Sequence, residues 1–512
     1  MSSSLIVIFG TIIFYLVCMV VIGIAFSKKN KSSDDFYLGG RTLGPLVTAM
    51  SAEASDMSGW LLMGLPAVAL MWGLPEATWT AIGLAVGTYI NWLLVAKKLR
   101  VYSHKLNAFT LPDFFSRRFG DEKRLLTTVA AVIIVIFFIP YTASGFAACG
   151  KLFASLFGMD YMKAMVISAI VIIVYCTLGG FLAASTTDFI QSIIMTIALF
   201  VVIGFGEGLV NGFDNVIANV SKLDGYLDVF RGFNVATGET ASYGALPVVS
   251  TLAWGLGYFG MPHILLRFMA IEDENKLKLS RRVASVWVVI SMAVAVLIGV
   301  VGYSLMKNGI VPTYESASAA ETIIVDIARV LGNYGYVPAF TAGIILAGIL
   351  ASTMSTADSQ LLAAASGISQ NLVQETFKVK LSEKSSVWLA RISVVIVSVL
   401  GIFLAKNPNS SVFTIVSFAW AGFGAAFGPV VLFALFWRRT TKEGALAGMI
   451  AGGVMIFVWK FVVRTTFAGT WLDIYELLPA FIVACIVIVV VSLATKAPGK
   501  EITDIYDEVA AK

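Results

Sequence analysis

The sequence predicts an all-α polytopic membrane protein of about 13 transmembrane helices, and three observations carry that expectation. Of its 512 residues, 58% are apolar and only 13% are charged, against about half and about a quarter in soluble chains. Mean hydropathy is +0.87. Apolar runs of about 18 or more residues, long enough to cross a bilayer as helices, recur along the whole chain. So few charges cannot cover the surfaces of the soluble domains that this length would otherwise suggest.

The first run, Leu5 to Phe26, is too long for a signal-peptide core and lacks a basic start, so it reads as a retained helix. Twelve more follow, at 43–73, 77–96, 125–155, 163–180, 186–210, 245–268, 283–306, 337–370, 387–405, 411–437, 444–464 and 475–495. They make one transmembrane domain over 1–512: a peripheral helix (5–26), two blocks of five spans (43–210 and 245–437), two further peripheral helices (444–495) and a tail (496–512). The longest segments between spans are outer loops at 211–244 and 307–336 and a basic inner stretch at 97–124. The tail is too short for a signalling domain, which argues against a membrane sensor.

Orientation follows from the basic residues. Lys28, Lys29, Lys31 and Arg41, the stretches 97–124, 267–282, 378–391 and 438–442, and the tail together hold 27 of the 36 Lys and Arg. Short basic loops stay in the cytoplasm. The amino end is therefore expected outside and the carboxyl end inside the cytoplasmic membrane.

Several chemistries lack raw material. Cys18, Cys149, Cys176 and Cys485 all fall in apolar runs without C-x-x-C spacing, and His104 and His263 are far apart. Neither a zinc site nor a Cys/His nucleophile can be assembled from them, so no enzyme is expected. Gly255-x-Gly257-x-x-Gly260 spells a dinucleotide fingerprint, but it lies inside a span and follows no strand.

Two spans carry sequence that a plain membrane helix avoids. The second holds Ser51-Ala-Glu-Ala-Ser-Asp56-Met-Ser-Gly59-Trp60, and the seventh holds Trp254-Gly-Leu-Gly-Tyr258-Phe-Gly-Met-Pro262. Irregular backbone at membrane depth survives only where it is buried or lines a wet cavity. The two spans enter from opposite sides, and each opens a block of five. Interrupted spans at matching places in two oppositely oriented halves point to a transporter binding site. The alternative is that these glycines serve close helix packing.

The ninth span holds Ser352, Ser355, Thr356 and Ser359, spaced to put four hydroxyls on one helical face. Such oxygens suit sodium, a hard cation, although membrane serines also bond back to their own helix. Intramembrane acids are functional by default, and Glu53, Asp56, Asp188 and Asp358 qualify, with Glu207 nearer a helix end. Asp56 sits in the interrupted segment. Asp188 follows Ser185-Thr186-Thr187 and could instead cap the sixth span. Glu53 could take a proton or pair with a cation. Trp60, Tyr141, Trp254 and Tyr258 lie near the two interruptions.

At these residues the chain resembles the solute:sodium symporter family, most closely its sodium/proline branch. The likeness rests on Leu38-Gly-Gly-Arg41-x-Leu-Gly-Pro45, Ser55-Asp-Met-Ser-Gly-Trp-Leu-Leu-Met-Gly-Leu-Pro66 and Trp254-Gly-Leu-Gly-Tyr-Phe-Gly-x-Pro-His263. It continues in Met354-Ser-Thr356, Ala419-Trp-Ala-Gly-Phe-Gly-Ala-Ala-Phe-Gly-Pro429 and Gly444-Ala-Leu-Ala-Gly-Met449. The resemblance implies a LeuT-like fold of thirteen helices with a five-plus-five inverted repeat, the first helix of each repeat broken. It implies sodium-coupled import of L-proline by alternating access. It also implies a sodium site built from the carbonyls of Ala54, Met57 and Ser352 and the hydroxyls of Ser355 and Thr356. Asp56 and Asp188 would be acids linked to sodium. Ser58, Trp60, Gly64, Tyr141, Trp254, Tyr258 and Pro262 would serve the substrate pocket, and Arg41 the inner gate. The expected partners are L-proline, sodium and the lipid bilayer, with no nucleic acid and no cofactor besides the coupling ion. Three positions depart from the family pattern: Glu53 replaces a Gly, Met261 a Gln and Asp358 a Ser. A sodium- or proton-coupled carrier of another small carboxylate-bearing solute is the neighbouring expectation.

Overall fold

A computed structural model describes residues 3–27 and 37–511, so Lys28, Lys29, Lys31 and Lys512 of the charge count lie outside the described residues. Ten helices among these are long and apolar enough to cross a membrane, or eleven if the bent pair Pro45–Asp56 and Trp60–Trp72 is one span. Two shorter apolar helices, Tyr161–Thr177 and Ala245–Gly260, occupy the fifth and seventh expected runs. The 211–244 loop adds what the all-α expectation omits, an antiparallel hairpin pairing Arg231–Asn234 with Glu239–Ser242.

Helix ends differ from the hydropathy runs where packing continues beyond the apolar stretch. The run expected at 77–96 is the middle of a longer rod. Leu74–Ile90 passes through one π turn, Asn91–Val95, into Ala96–Lys105. One face of its basic extension is covered, since Arg100 is buried and donates from Nε to the Ile271 carbonyl at 2.7 Å. The runs at 163–180 and 186–210 join as Tyr161–Leu209, broken only at Gly180. There φ is 69° and ψ is −176°, a conformation that glycine adopts without a Cβ clash. Asp188 therefore lies two turns inside the second segment, which corrects the reading of it as a helix cap.

The Ser3–Ser27 helix shows how spans divide between protein and lipid. Ile8, Ile12, Tyr15 and Met19 recur every three or four residues and are buried against the Tyr336–Ser366 and Tyr161–Leu209 helices. Phe14 and Val21 point away and stay exposed.

The basic segments meet at one end of the bundle. Arg41 donates to the carbonyls of Met269 at 2.7 Å and Ala108 at 2.6 Å, tying three chain segments together. The Lys500–Ala510 helix docks there through Lys105 to Glu508 at 2.8 Å and Arg438 to Asp507 at 2.7 Å. The Arg438 guanidinium holds the Asp507 carboxyl below the usual carboxylate range.

Glycines let the interrupted seventh span pack closely. A Cβ on Gly83 would sit 2.6 Å from the Leu252 carbonyl oxygen, one on Gly87 would run into the Gly255 carbonyl oxygen, and one on Gly255 into the Gly83 carbonyl oxygen. Gly257 lies under the Trp420 indole, whose Nε1 donates to the Trp254 carbonyl at 2.7 Å. The packing reading of these glycines thus holds alongside the interruption itself. Gly87→Val is expected to destabilise the fold by about 1–3 kcal/mol through overpacking. Gly10→Val, in open space, is expected to leave the melting temperature of purified protein unchanged.

Candidate functional site

Both suspected interruptions are present. Pro45–Asp56 ends at Met57, where ψ turns to 67°, and the chain resumes after Gly59 through a π turn at Trp60–Gly64, bent by 60°. Ala245–Leu252 tightens to a 3₁₀ helix over Ala253–Gly260, opens to an extended Met261, and restarts as Pro262–Ala270. Pro262 stands at the first helical position, where its missing N–H costs nothing.

The first interruption frees carbonyls in a defined way. In an α-helix Ser58 N–H would serve Ala54 and Leu61 N–H would serve Met57. Here Ser58 donates to Asp56 at 2.8 Å and Leu61 to Ser58 at 3.0 Å. The carbonyls of Ala54 and Met57 are thereby released from the helix ladder. Asp56 gathers the other donors, as its carbonyl accepts the Trp60 indole N–H at 3.1 Å and the Tyr141 hydroxyl at 3.5 Å.

The released Ala54 carbonyl meets the hydroxyl stripe of the ninth span. Ser355 Oγ donates to it at 2.8 Å, and Thr356 Oγ1 lies 3.4 Å away. The same two hydroxyls reach the Ser352 carbonyl at 3.3 and 3.0 Å, while Ser352 Oγ bonds back to Ile349. Four predicted sodium ligands, Ala54, Ser352, Ser355 and Thr356, therefore share one buried place. Met57 lies one turn along with its carbonyl released, and no hydrogen bond among the described residues joins it to the other four.

The acids divide into two groups. Tyr258 donates to Asp56 Oδ2 at 2.5 Å, and Trp92 Nε1 donates to Glu53 Oε1 at 2.8 Å. On the other side of the half-helix, Asp188 Oδ2 accepts from Ser51 at 2.7 Å and from Arg267 at 3.1 Å. Arg267 also donates to Ser359 Oγ at 2.6 Å, and Ser359 in turn donates to Asp358 Oδ1 at 3.0 Å. Arg267 is 1% exposed and stands over the Phe181 ring. Reading it as one of the basic inner-loop residues was wrong: it is a buried cation joining the second, sixth, seventh and ninth spans. The signal was present, because Arg267 falls inside the apolar run expected at 245–268.

The aromatics gather where the two interruptions face each other. Trp60 and Trp254 have ring centroids 6.3 Å apart, and Trp254 stacks on Tyr475 at 5.3 Å. Tyr258 meets Trp420 edge-on at 5.0 Å, and Tyr141 meets His263 at 6.3 Å. Ser58 Oγ accepts from the Trp60 amide at 3.4 Å. Gly64 is a packing position, since a Cβ there would come 3.1 Å from Phe413 Cβ. Arg41 lies apart from this cluster, at the basic end. Trp92 and Tyr475 went unnoticed in the sequence because aromatics are common in membrane helices and nothing local marks these, while Trp420 stood in the Ala419–Pro429 string with no role assigned to it. At the other end Lys151 and Glu321, 7% and 1% exposed, form an ion pair at 2.6 Å.

A sequence profile of the sodium:solute symporter family matches residues 36–452. The chain is 42% identical over 491 residues to the sodium/proline symporter of Salmonella typhimurium, covering 94% of this chain and 92% of that one. It is 40% identical over 503 residues to the osmoregulated proline transporter OpuE of Bacillus subtilis, covering 98% and 96%. Among solved structures, a Na+-coupled sialic acid symporter in a substrate-bound outward-open state superposes with a TM-score of 0.77 at 16% identity, over 96% of this chain and 99% of that one. MhsT in complex with L-phenylalanine gives a TM-score of 0.53 at 12% identity, over 88% and 99%. At such identities these two likenesses speak for the fold alone.

Proposed function

Because the chain belongs to the sodium:solute symporter family, we propose that it imports L-proline together with sodium by alternating access. It is a multi-pass membrane transporter with sodium as coupling ion. The observation that carries the mechanism is the meeting of the freed Ala54 carbonyl with the Ser355 and Thr356 hydroxyls. Sodium between them would take oxygens from the interrupted second span and the ninth span and hold the two together. Asp56, two residues on from Ala54, answers the ion's charge and presents Tyr258 to the pocket.

Proline would lie between the two interruptions, its ring against Trp60, Trp254 and Tyr141. Its carboxylate would face backbone N–H groups released there, Ser58 lying beside them. Each ligand orders the half-helix that the other needs, so each raises the affinity for the other by the same factor. Pro262 and the buried Met261 shape the floor of that space. Asp188, held by Arg267, positions the second span against the sixth. The inverted repeat over 43–210 and 245–437 fits the opposite directions of the two interrupted spans. An outside amino end and an inside carboxyl end fit the joining of Arg41, Arg100, Arg438 and the tail helix at one end, with Arg41 clasping it on the gate side.

One charge moving inward through ~100 mV releases about 2.3 kcal/mol, and a tenfold sodium gradient adds about 1.4 kcal/mol. Together they sustain accumulation of several hundredfold. The test is radiolabelled proline uptake into vesicles with an imposed inward sodium gradient. Uptake that collapses when the gradient is dissipated is expected. Uptake indifferent to sodium, or counterflow with other carboxylate-bearing solutes and none with proline, would remove the reading.

A further inference from the structure

We propose that Tyr475, in the segment between the two last peripheral helices, is a positioning residue of the proline pocket: it sets the tilt of Trp254, and thereby the affinity and the ring-size preference for the substrate. The inference rests on the proline reading above and deepens it, by bringing to the pocket a part of the chain that lies outside both blocks of five spans.

Trp254 is the indole that needs such support. It stands in the 3₁₀ stretch Ala253–Gly260, where the seventh span has left the α-helical ladder and hydrogen-bond geometry is poorer. Its tilt therefore depends on what packs around it. Trp60, Phe413, Trp420 and Tyr475 do so, with ring centroids 6.3, 5.2, 6.4 and 5.3 Å from its own. Tyr475 lies most nearly parallel to the indole, at 23°, against 35°, 40° and 32° for Trp60, Phe413 and Trp420. Of the four rings it is the one that stacks on the indole, so it holds Trp254 by its face.

Tyr475 is itself fixed at both ends. Its amide N–H donates to Ser250 Oγ at 2.7 Å, one turn before Trp254 on the same span. Its hydroxyl donates to the Ser417 carbonyl at 2.7 Å, on the Val412–Phe436 helix. The neighbouring Glu476 is 1% exposed and accepts from Arg464 at 2.9 Å and Lys460 at 3.2 Å, while Arg464 also reaches Asp473 at 3.1 Å. Two cations balance two carboxylates, so the buried Glu476 is paired and anchors the segment. Aromatic residues near the ends of membrane helices commonly serve as interface anchors. Trp471 of the same segment, 72% exposed, fits that description. Tyr475 does not, because its ring and its hydroxyl are both engaged with the seventh and eleventh spans.

The test is uptake of labelled proline into proteoliposomes at saturating sodium, with the four- and six-membered-ring homologues of proline as unlabelled competitors. Tyr475→Leu is expected to raise the proline needed for half-maximal uptake about fivefold, the loss of one aromatic pair, with the maximal rate per folded transporter unchanged. It is also expected to lower the preference for proline over the six-membered homologue, because an unbraced indole gives way to the larger ring. Tyr475→Phe keeps the stacked ring and is expected to recover most of the affinity and the ring preference. Ser250→Ala, a smaller change, is expected to raise the half-maximal proline concentration about threefold through one lost hydrogen bond. It decides the matter if Tyr475→Leu does not fold. Unchanged affinity and ring preference in Tyr475→Leu, a fall in maximal rate alone, or Tyr475→Phe as impaired as Tyr475→Leu overturns the proposal. So does unchanged affinity in Ser250→Ala. A wild type that takes up the homologues and no proline would strike the proline reading instead.

Discussion

Replacing Ser355 and Thr356 together by alanine is expected to abolish sodium-driven proline uptake at sodium concentrations that saturate the wild type, with the protein still folded. The two hydroxyls are the side chains that reach the Ala54 carbonyl, which the interruption at Met57 has taken out of its helix. A hydrogen bond or ligand to a charged partner is worth about 1.5–3 kcal/mol, so losing two should raise the sodium requirement by about 100-fold or more. Both residues are small and each also reaches the Ser352 carbonyl of its own helix, so alanine leaves little strain. The check is uptake as a function of sodium beside the melting temperature of the purified variant. Wild-type sodium dependence would dismiss the hydroxyl site.

Removing Arg267 is expected to do the reverse, to damage the fold before function can be read. The guanidinium is buried among Asp188, Ser51, Ser359 and the His263 carbonyl. Arg267→Met leaves Asp188 buried without its counter-charge, and breaking a buried pair from one side costs about 3–5 kcal/mol. Removing both partners, Arg267→Met with Asp188→Leu, is expected to recover most of the folded yield, because no unpaired charge of that pair remains. Detergent-solubilised yield and melting temperature measure both variants. Transport should stay low in the double variant, since the second, sixth and ninth spans have lost their shared clasp. If Arg267→Met is as stable as the wild type, the pair is not a structural clasp.

The legible parts of this protein share one property: their signal is local. Hydropathy places the spans, the Ser-Asp-Met-Ser-Gly string marks the first interruption, and the spacing of Ser352, Ser355, Thr356 and Ser359 reveals a common face. The family motifs add which oxygens meet. Less was legible where the cause lies in distant residues. Arg267 looked like one more inner-loop charge until Asp188, 79 positions away, was seen beside it. Thr88 and Asn91 are unremarkable within their own helix, and only Glu53 and Tyr258 from other spans give them a setting. The extension of the third span to Lys105 escaped hydropathy because its turns are charged, and of those charges only Arg100 is buried, against the Ile271 carbonyl.

By itself the sequence determined that this chain lives in a membrane, where its helices run and at which two places they cannot continue. Those outcomes follow from the lack of water in the hydrocarbon layer, which forces every apolar run into a helix and makes each local defect conspicuous. Which side of a helix a defect serves was decided only in three dimensions. Ala54 and Glu53 are neighbours in the chain, yet one turns to the hydroxyls of the ninth span and the other to the indole of Trp92. A helix rotates by about 100° per residue, so adjacent residues belong to different interfaces, and only packing says what each interface holds.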